Sequence, residues 1–299
     1  MVASDPVEMA SFEHDADVTP QPSVSDDKKE HGHTHGHGHS HEHSEAAALI
    51  VALGTVTVGG ATFTIDRDGQ PEAGKITEFG VELVGASTVV PSSAWLANPD
   101  GAKVCDPVSG EGHDSHWHFN VEPLEPIKKS KFVLQVGTEE VAVDFARGAQ
   151  PVNGGILSVV KAAHAPEWRG FLELKLHGDA GDLELWLYES FPISNWKVAG
   201  KPKPLDVPIE TVICLSFASP EGKTLEMRVR NGDKNEDEDG TPNMRGSATN
   251  YFIFPGETGA DADWLVGEKA RYMLTVSFEA GGKSYAADPF ILVPHEALG

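Results

Sequence analysis

Seven histidines alternate with other residues in Glu30-His-Gly-His-Thr-His-Gly-His-Gly-His-Ser-His-Glu-His43, at His31, His33, His35, His37, His39, His41 and His43. Neutral imidazole is the commonest protein ligand for Zn²⁺, Cu²⁺ and Ni²⁺. The Gly, Thr and Ser between the rings let a pliant chain fold three or four of them round one ion. A purification tag is an uninterrupted run at a terminus, whereas this tract is interrupted and set in an acidic segment. It therefore points to transition-metal capture, with a solubilising low-complexity tail as the competing reading.

A second group lies in Cys105-Asp-Pro-Val-Ser-Gly-Glu-Gly-His113-Asp-Ser-His116-Trp-His118-Phe-Asn-Val-Glu122. On a strand, His116 and His118 leave the same face, and His113 in the preceding turn can swing in as a third ligand. Three imidazoles with an open position suit Zn²⁺ or Cu²⁺, and Cys105 or Asp114 would complete the shell. The alternative is a solvated strand face with Trp117 and Phe119 buried opposite. Gly110, His116, His118 and Glu122 also resemble the first cupin motif, in which two His and a Glu hold a catalytic metal. No Gly follows Glu122 at the expected interval, and no second cupin motif follows. That resemblance implies, as an alternative, a cupin-like metalloenzyme using His116, His118 and Glu122.

The third group is Asn231-Gly-Asp-Lys-Asn-Glu-Asp-Glu-Asp-Gly240. Asn235, Asp237 and Asp239 followed by Gly240 match the start of a Ca²⁺ loop, where alternate oxygens converge on a hard cation and Gly allows the tight turn. The twelfth position is Gly246, not a bidentate Glu, so a solvated acidic hairpin tip is the competing reading. Other constellations are missing: there is no GxSxG elbow, no P-loop and no paired Cys spacing. The expectation is a binding protein, not an enzyme. Cys214 reads as a small core residue, and His164, His177 and His295 read as isolated surface residues.

These groups need elements to position them. Residues 1–45 have almost no apolar periodicity and read as a disordered acidic tail. From Leu49 the pattern turns to short β-branched runs cut by turns, beginning with Thr55-Val-Thr-Val58, Gly59-Gly60 and Ala61-Thr-Phe-Thr-Ile65, a hairpin signature. Further strands are expected at Thr77–Val84, Ser93–Leu96, Trp117–Val121, Phe132–Val136 and Glu140–Phe145. After Gly148-Ala-Gln-Pro-Val-Asn-Gly-Gly155 a second series runs through Gly170–Leu176, Asp182–Tyr188, Glu210–Phe217, Leu225–Val229, Asn250–Phe254, Tyr272–Phe278, Lys283–Ala287 and Phe290–Val293. The 31 Gly and 20 Pro likewise suit turn-rich β architecture. The expected fold is all-β, with two tandem Ig-like β-sandwich domains at 46–160 and 161–299 after the tail.

The 46 Asp+Glu against 23 Lys+Arg give a formal charge of −23, which repels phosphate backbones and excludes nucleic acid as a partner while favouring cations. The most apolar stretch, Ala46 to Val58, is too short to span a membrane. Acids occupy the start, where a signal peptide needs a basic region, so no export signal is visible.

The order of segments from Gly170 to Tyr188, Pro204 to Ile213, Gly222 to Asn231, Asn250 to Phe254 and Lys283 to Tyr285 resembles small β domains associated with bacterial heavy-metal efflux adaptor proteins. The resemblance spans roughly 120 residues without a diagnostic functional motif. It implies a periplasmic or otherwise extracytoplasmic setting and a metal efflux system as partner; the cytoplasm stays open. The functional expectation is a protein that binds or buffers Zn²⁺, Cu²⁺ or Ni²⁺, with Ca²⁺ as a further ion. A non-catalytic surface adhesion or interaction module is another alternative.

Overall fold

A computed structural model describes residues 48–125, 127, 129–146, 148–194, 197–198, 200–218, 222–255, 263–267 and 270–298. The tail expected at 1–45, with its seven tract histidines, lies outside the described residues. Among the described residues the protein is all-β, with no α-helix.

In the first half, β1 (Ile50–Val58), β2 (Ala61–Asp68) and β3 (Thr77–Val84) form an antiparallel meander. Gly59 and Gly60 take φ of 60° and 75° between β1 and β2. A two-residue hairpin turn whose twist matches its strands needs such left-handed backbone, which glycine adopts without steric cost. After β4 (Ser93–Ala97), the hairpin of β5 (Glu111–His113) and β6 (His116–Val121) docks β6 on β3. A second layer of β4, β7 (Lys131–Val136) and β8 (Glu139–Val143) completes this half. Strand alternation sends Phe63, Ile65, Phe79, Val81, Trp117, Phe119 and Val121 into one core with Phe132 and Leu134. The Phe79 and Phe132 rings stack there at 4.3 Å.

The second half contains β9 (Ile156–Ala162), β10 (Ala165–Leu176) and β11 (Leu183–Ser190), followed by the short strands β12 (Ile193–Ser194), β13 (Lys197–Val198), β14 (Lys203–Pro204) and β15 (Val207–Pro208). Next come β16 (Ile213–Phe217), β17 (Thr224–Met227), β18 (Met244–Arg245), β19 (Ala248–Thr249) and β20 (Tyr251–Phe254), then β21 (Tyr272–Ala280), β22 (Lys283–Ala287) and β23 (Phe290–Leu292). The leucines of β10 and β11, with Phe252 and Phe254 of β20, pack against Ile213, Leu215 and Phe217 of β16 and Leu274, Val276 and Phe278 of β21. Each such buried side chain contributes about 1.5–3 kcal/mol relative to exposure.

One strand joins the halves. β9 pairs along one edge with β10, and along the other with β1 in parallel and with β22. The boundary expected at 160/161 falls inside it, and the described residues form one compact unit holding both cores. The segment leading into β9 is gripped at both ends by opposite buried charges. Arg67, fully buried, donates from Nε to Phe145 O at 2.6 Å, from Nη2 to Ala146 O at 3.0 Å and Ala149 O at 2.7 Å, and from Nη1 to Gly69 O. Burial lowers its guanidinium to about 9. Glu173, also fully buried, accepts from the backbone N–H groups of Val152, Asn153 and Gly155 and from Tyr188 Oη. Burial pushes its carboxyl up while those donors pull it down, and burial wins. No helix among the described residues is long and apolar enough to cross a membrane.

Candidate metal centre

Alternation on β6 buries Trp117, Phe119 and Val121 and leaves His116 and His118 side by side on the opposite face, their ring centroids 4.3 Å apart. Register then dictates their neighbours: His116 sits opposite Glu82 and His118 opposite Gly80, which in turn faces Asp66 on β2. His118 Nδ1 lies 2.8 Å from Glu78 Oε1. With the proton on Nδ1 and donated to Glu78, Nε2 presents its lone pair outward, the arrangement by which carboxylates orient metal-binding imidazoles. His116 Nδ1 lies 3.4 Å from Glu82 Oε2 and 3.2 Å from Arg271 Nη2.

Glycine at position 80 keeps this face open. A Cβ there would come within 2.5 Å of Asp66 Oδ1, so the Asp66 carboxylate occupies the space a side chain would take. Burial raises the Asp66 carboxyl, against the charges of His116 and Arg271. Burial also works to raise Glu82, but hydrogen bonds from His116 and Arg271 hold it below the usual range. Asp66, Asp68, Glu78, His116 and His118 share a cavity of about 300 Å³ with Arg271, walled by Ile156, Ile291, Val293 and Leu298.

Of the other sequence-derived ligands, the side chain of His113 lies outside the described residues, and Cys105, Glu122, Asn235, Asp237 and Asp239 are not gathered here. His113 pairs with His116 across the hairpin. Cys105 is in the first core, where its Sγ accepts from Leu96 N at 3.1 Å, on the side of the sheet to which Trp117 points and the histidines do not. Burial raises its thiol, which disfavours the thiolate a metal needs. Glu122 is exposed, one residue beyond the end of β6. In the acidic loop, Asn235 is fully buried at φ 48°; its Oδ1 accepts from Arg230 N and its Nδ2 donates to Thr249 Oγ1 and Tyr251 O. Asp237 accepts from Thr241 N and Asn243 Nδ2, whereas Asp239 is exposed. Asn235 thus staples the loop from inside. Cys214, expected in the core, is half-buried and lines a groove, since its neighbours Ile213 and Leu215 take the inward positions.

A second cluster corrects the reading of His177 and His295 as isolated. At the tip of the β10–β11 hairpin, His177 Nε2 lies 3.1 Å from Glu184 Oε2 and 3.3 Å from Glu238 Oε1 of the acidic loop. The His295 ring centroid is 4.7 Å from that of His177, and Glu296 stands beside it, with Oε1 3.2 Å from His295 Nδ1. Donor atoms of His177, Glu184 and Glu238 lie within 4.8 Å of one another, as do those of His177, His295 and Glu296. The hydrogen bond to Glu184 raises the His177 imidazole. Burial works to raise Glu184, but His177, Tyr251 and Lys175 together hold it below its usual range. A usable signal was the alternation of Lys175 and His177 leading into a Gly-rich hairpin with Glu184 on its return strand.

With both clusters in view, comparison with protein-family models, curated proteins and solved structures returns no match.

Proposed function

We propose that this chain binds and buffers divalent transition-metal ions of the Zn²⁺, Cu²⁺ and Ni²⁺ group, without catalysis. His31 to His43 capture ions, and His116 and His118 supply imidazoles for an ordered site. The observation that carries the reading is the pair of rings 4.3 Å apart on β6, with Glu78 set to orient one of them from the neighbouring strand. Asp66, over Gly80 and lining the same cavity, is a further oxygen donor for completing the shell. The acidic balance of the chain favours cations over anions.

The two cores support the finer architectural reading of two Ig-like sandwiches in tandem sharing β9. The efflux-adaptor resemblance favours a bacterial envelope setting with a metal efflux system as partner. A non-catalytic interaction module is a second reading, favoured by a groove of about 890 Å³ lined by Pro166, Pro208, Cys214, Phe278 and Tyr285.

Calorimetric titration of the full chain with Zn²⁺ tests the metal reading. His116→Ala with His118→Ala should remove one tight ion, and changing the seven tract histidines to Ser should remove several weaker ones. Unchanged stoichiometry and affinity in both variants would sink it.

A further inference from the structure

We propose that His177, Glu184 and Glu238 form a second, separate site for a divalent cation of the Zn²⁺ or Co²⁺ kind, closed by the acidic loop. This rests on the same metal reading but on none of the same residues.

Bond lengths of about 2.0–2.1 Å in a tetrahedral zinc site place neighbouring donor atoms about 3.3–3.4 Å apart. His177 Nε2 stands 3.1 Å from Glu184 Oε2 and 3.3 Å from Glu238 Oε1, so two edges of that tetrahedron are already close to length. Imidazole with two carboxylates is a mixed nitrogen and oxygen set that suits borderline divalent ions and not soft Cu⁺.

The donors are oriented from behind. Tyr251 Oη donates to Glu184 Oε1, which leaves Oε2 to face His177. The His177 backbone is pinned on both sides: its N–H donates to Asp182 O at 2.9 Å, and its carbonyl accepts from Gly181 N at 2.7 Å. Metal sites rely on such supporting contacts, whose loss costs about 10- to 100-fold in affinity. Lys175 Nζ, 3.6 Å from Glu184 Oε2 and 3.3 Å from Glu238 Oε2, is the cation an incoming ion displaces. A cavity of about 300 Å³ lined by Asp182, Glu184, Arg230, Glu238 and Pro255 gives an ion a route in and room for a water in the shell.

Glu238 belongs to the loop read as a Ca²⁺ motif. One of the loop's acids, Glu238, thus reaches the hairpin tip. Binding would tie the loop to β10 and β11 through the one ligand that is exposed.

The test uses the full chain carrying Ser at the seven tract positions together with His116→Ala and His118→Ala, so that neither the tract nor the β6 pair competes for the ion. Co²⁺ is the probe, read by its visible absorption, with Zn²⁺ displacing it. One Co²⁺ per chain with a tetrahedral spectrum is expected. Glu238→Gln should weaken it at least tenfold, His177→Ala should abolish it, and Tyr251→Phe should weaken it about tenfold. Because Glu238 is exposed, its variant tests the site without threatening the fold. No bound Co²⁺ in this background, or Co²⁺ indifferent to Glu238→Gln, overturns the proposal. A failure of the first reading shows separately, as stoichiometry and affinity unchanged both when His116 and His118 are replaced and when the seven tract histidines are replaced.

Discussion

The two histidine clusters are assembled in opposite ways. His116 and His118 owe their proximity to a strand period of two, and their acidic neighbours to the register of three adjacent strands, so the cluster is local, shallow and partly solvated. His177 meets partners from positions 184, 238, 295 and 296, which come together only when the hairpin, the acidic loop and the turn His295–Leu298 are all in place. A cluster written into one sheet can be changed at little cost to the fold. One assembled from distant segments is part of what holds the fold together.

The largest effects should fall on the segment leading into β9, the strand that both halves share. Arg67→Met takes the Arg67 donor from the buried Phe145 carbonyl and one of two donors from the carbonyls of Ala146 and Ala149, which keep Ala149 N–H and Gln70 Nε2, and Glu173→Ala strands three backbone N–H groups. Each should cost about 3 kcal/mol or more in urea unfolding. A loss below about 1 kcal/mol in either would show that segment 145–155 is held by packing alone.

The direct contrast is smaller. His177→Ala leaves Glu184 buried without one partner and should cost about 2 kcal/mol, whereas His118→Ala, at an exposed pair, should stay within about 0.5 kcal/mol. Equal losses would erase the distinction between the clusters.

The smallest effect is the pH dependence of melting without added metal. The raised His177 pKa gives stability that is full below the ordinary imidazole value of about 6.5 and lost as pH climbs through the higher folded value. The lowered Glu184 pKa gives stability that is present above 4.5 and lost as pH falls through the lower folded value. The pair therefore contributes most between about pH 4.5 and 6.5. His177→Gln should flatten the alkaline side of that window, and an unaltered profile would show that the pair is not coupled to folding.

Much of the fold is legible in the residues. The expected strands Thr77–Val84 and Lys283–Ala287 coincide with β3 and β22, and the face shared by His116 and His118 follows from alternation with Trp117 and Phe119. β9 was missed, because Ile156-Leu-Ser-Val-Val has neighbours on both faces and does not alternate, and a stretch buried on both faces leaves no polar stripe to read. Glu78, Glu82 and Asp66 were missed because cross-strand partners require register, which spacing along one strand does not supply. The hairpin between Lys175 and Glu184 carries a local signal for His177 and Glu184, but no local pattern encodes their meeting with Glu238, His295 and Glu296.

The turn His295–Leu298 presents His295 and Glu296 toward His177, while Ala297 and Leu298 line the cavity of His116 and His118. One short element therefore belongs to both clusters. A substitution within this turn therefore alters the surroundings of both clusters at once, although they are built on different strands.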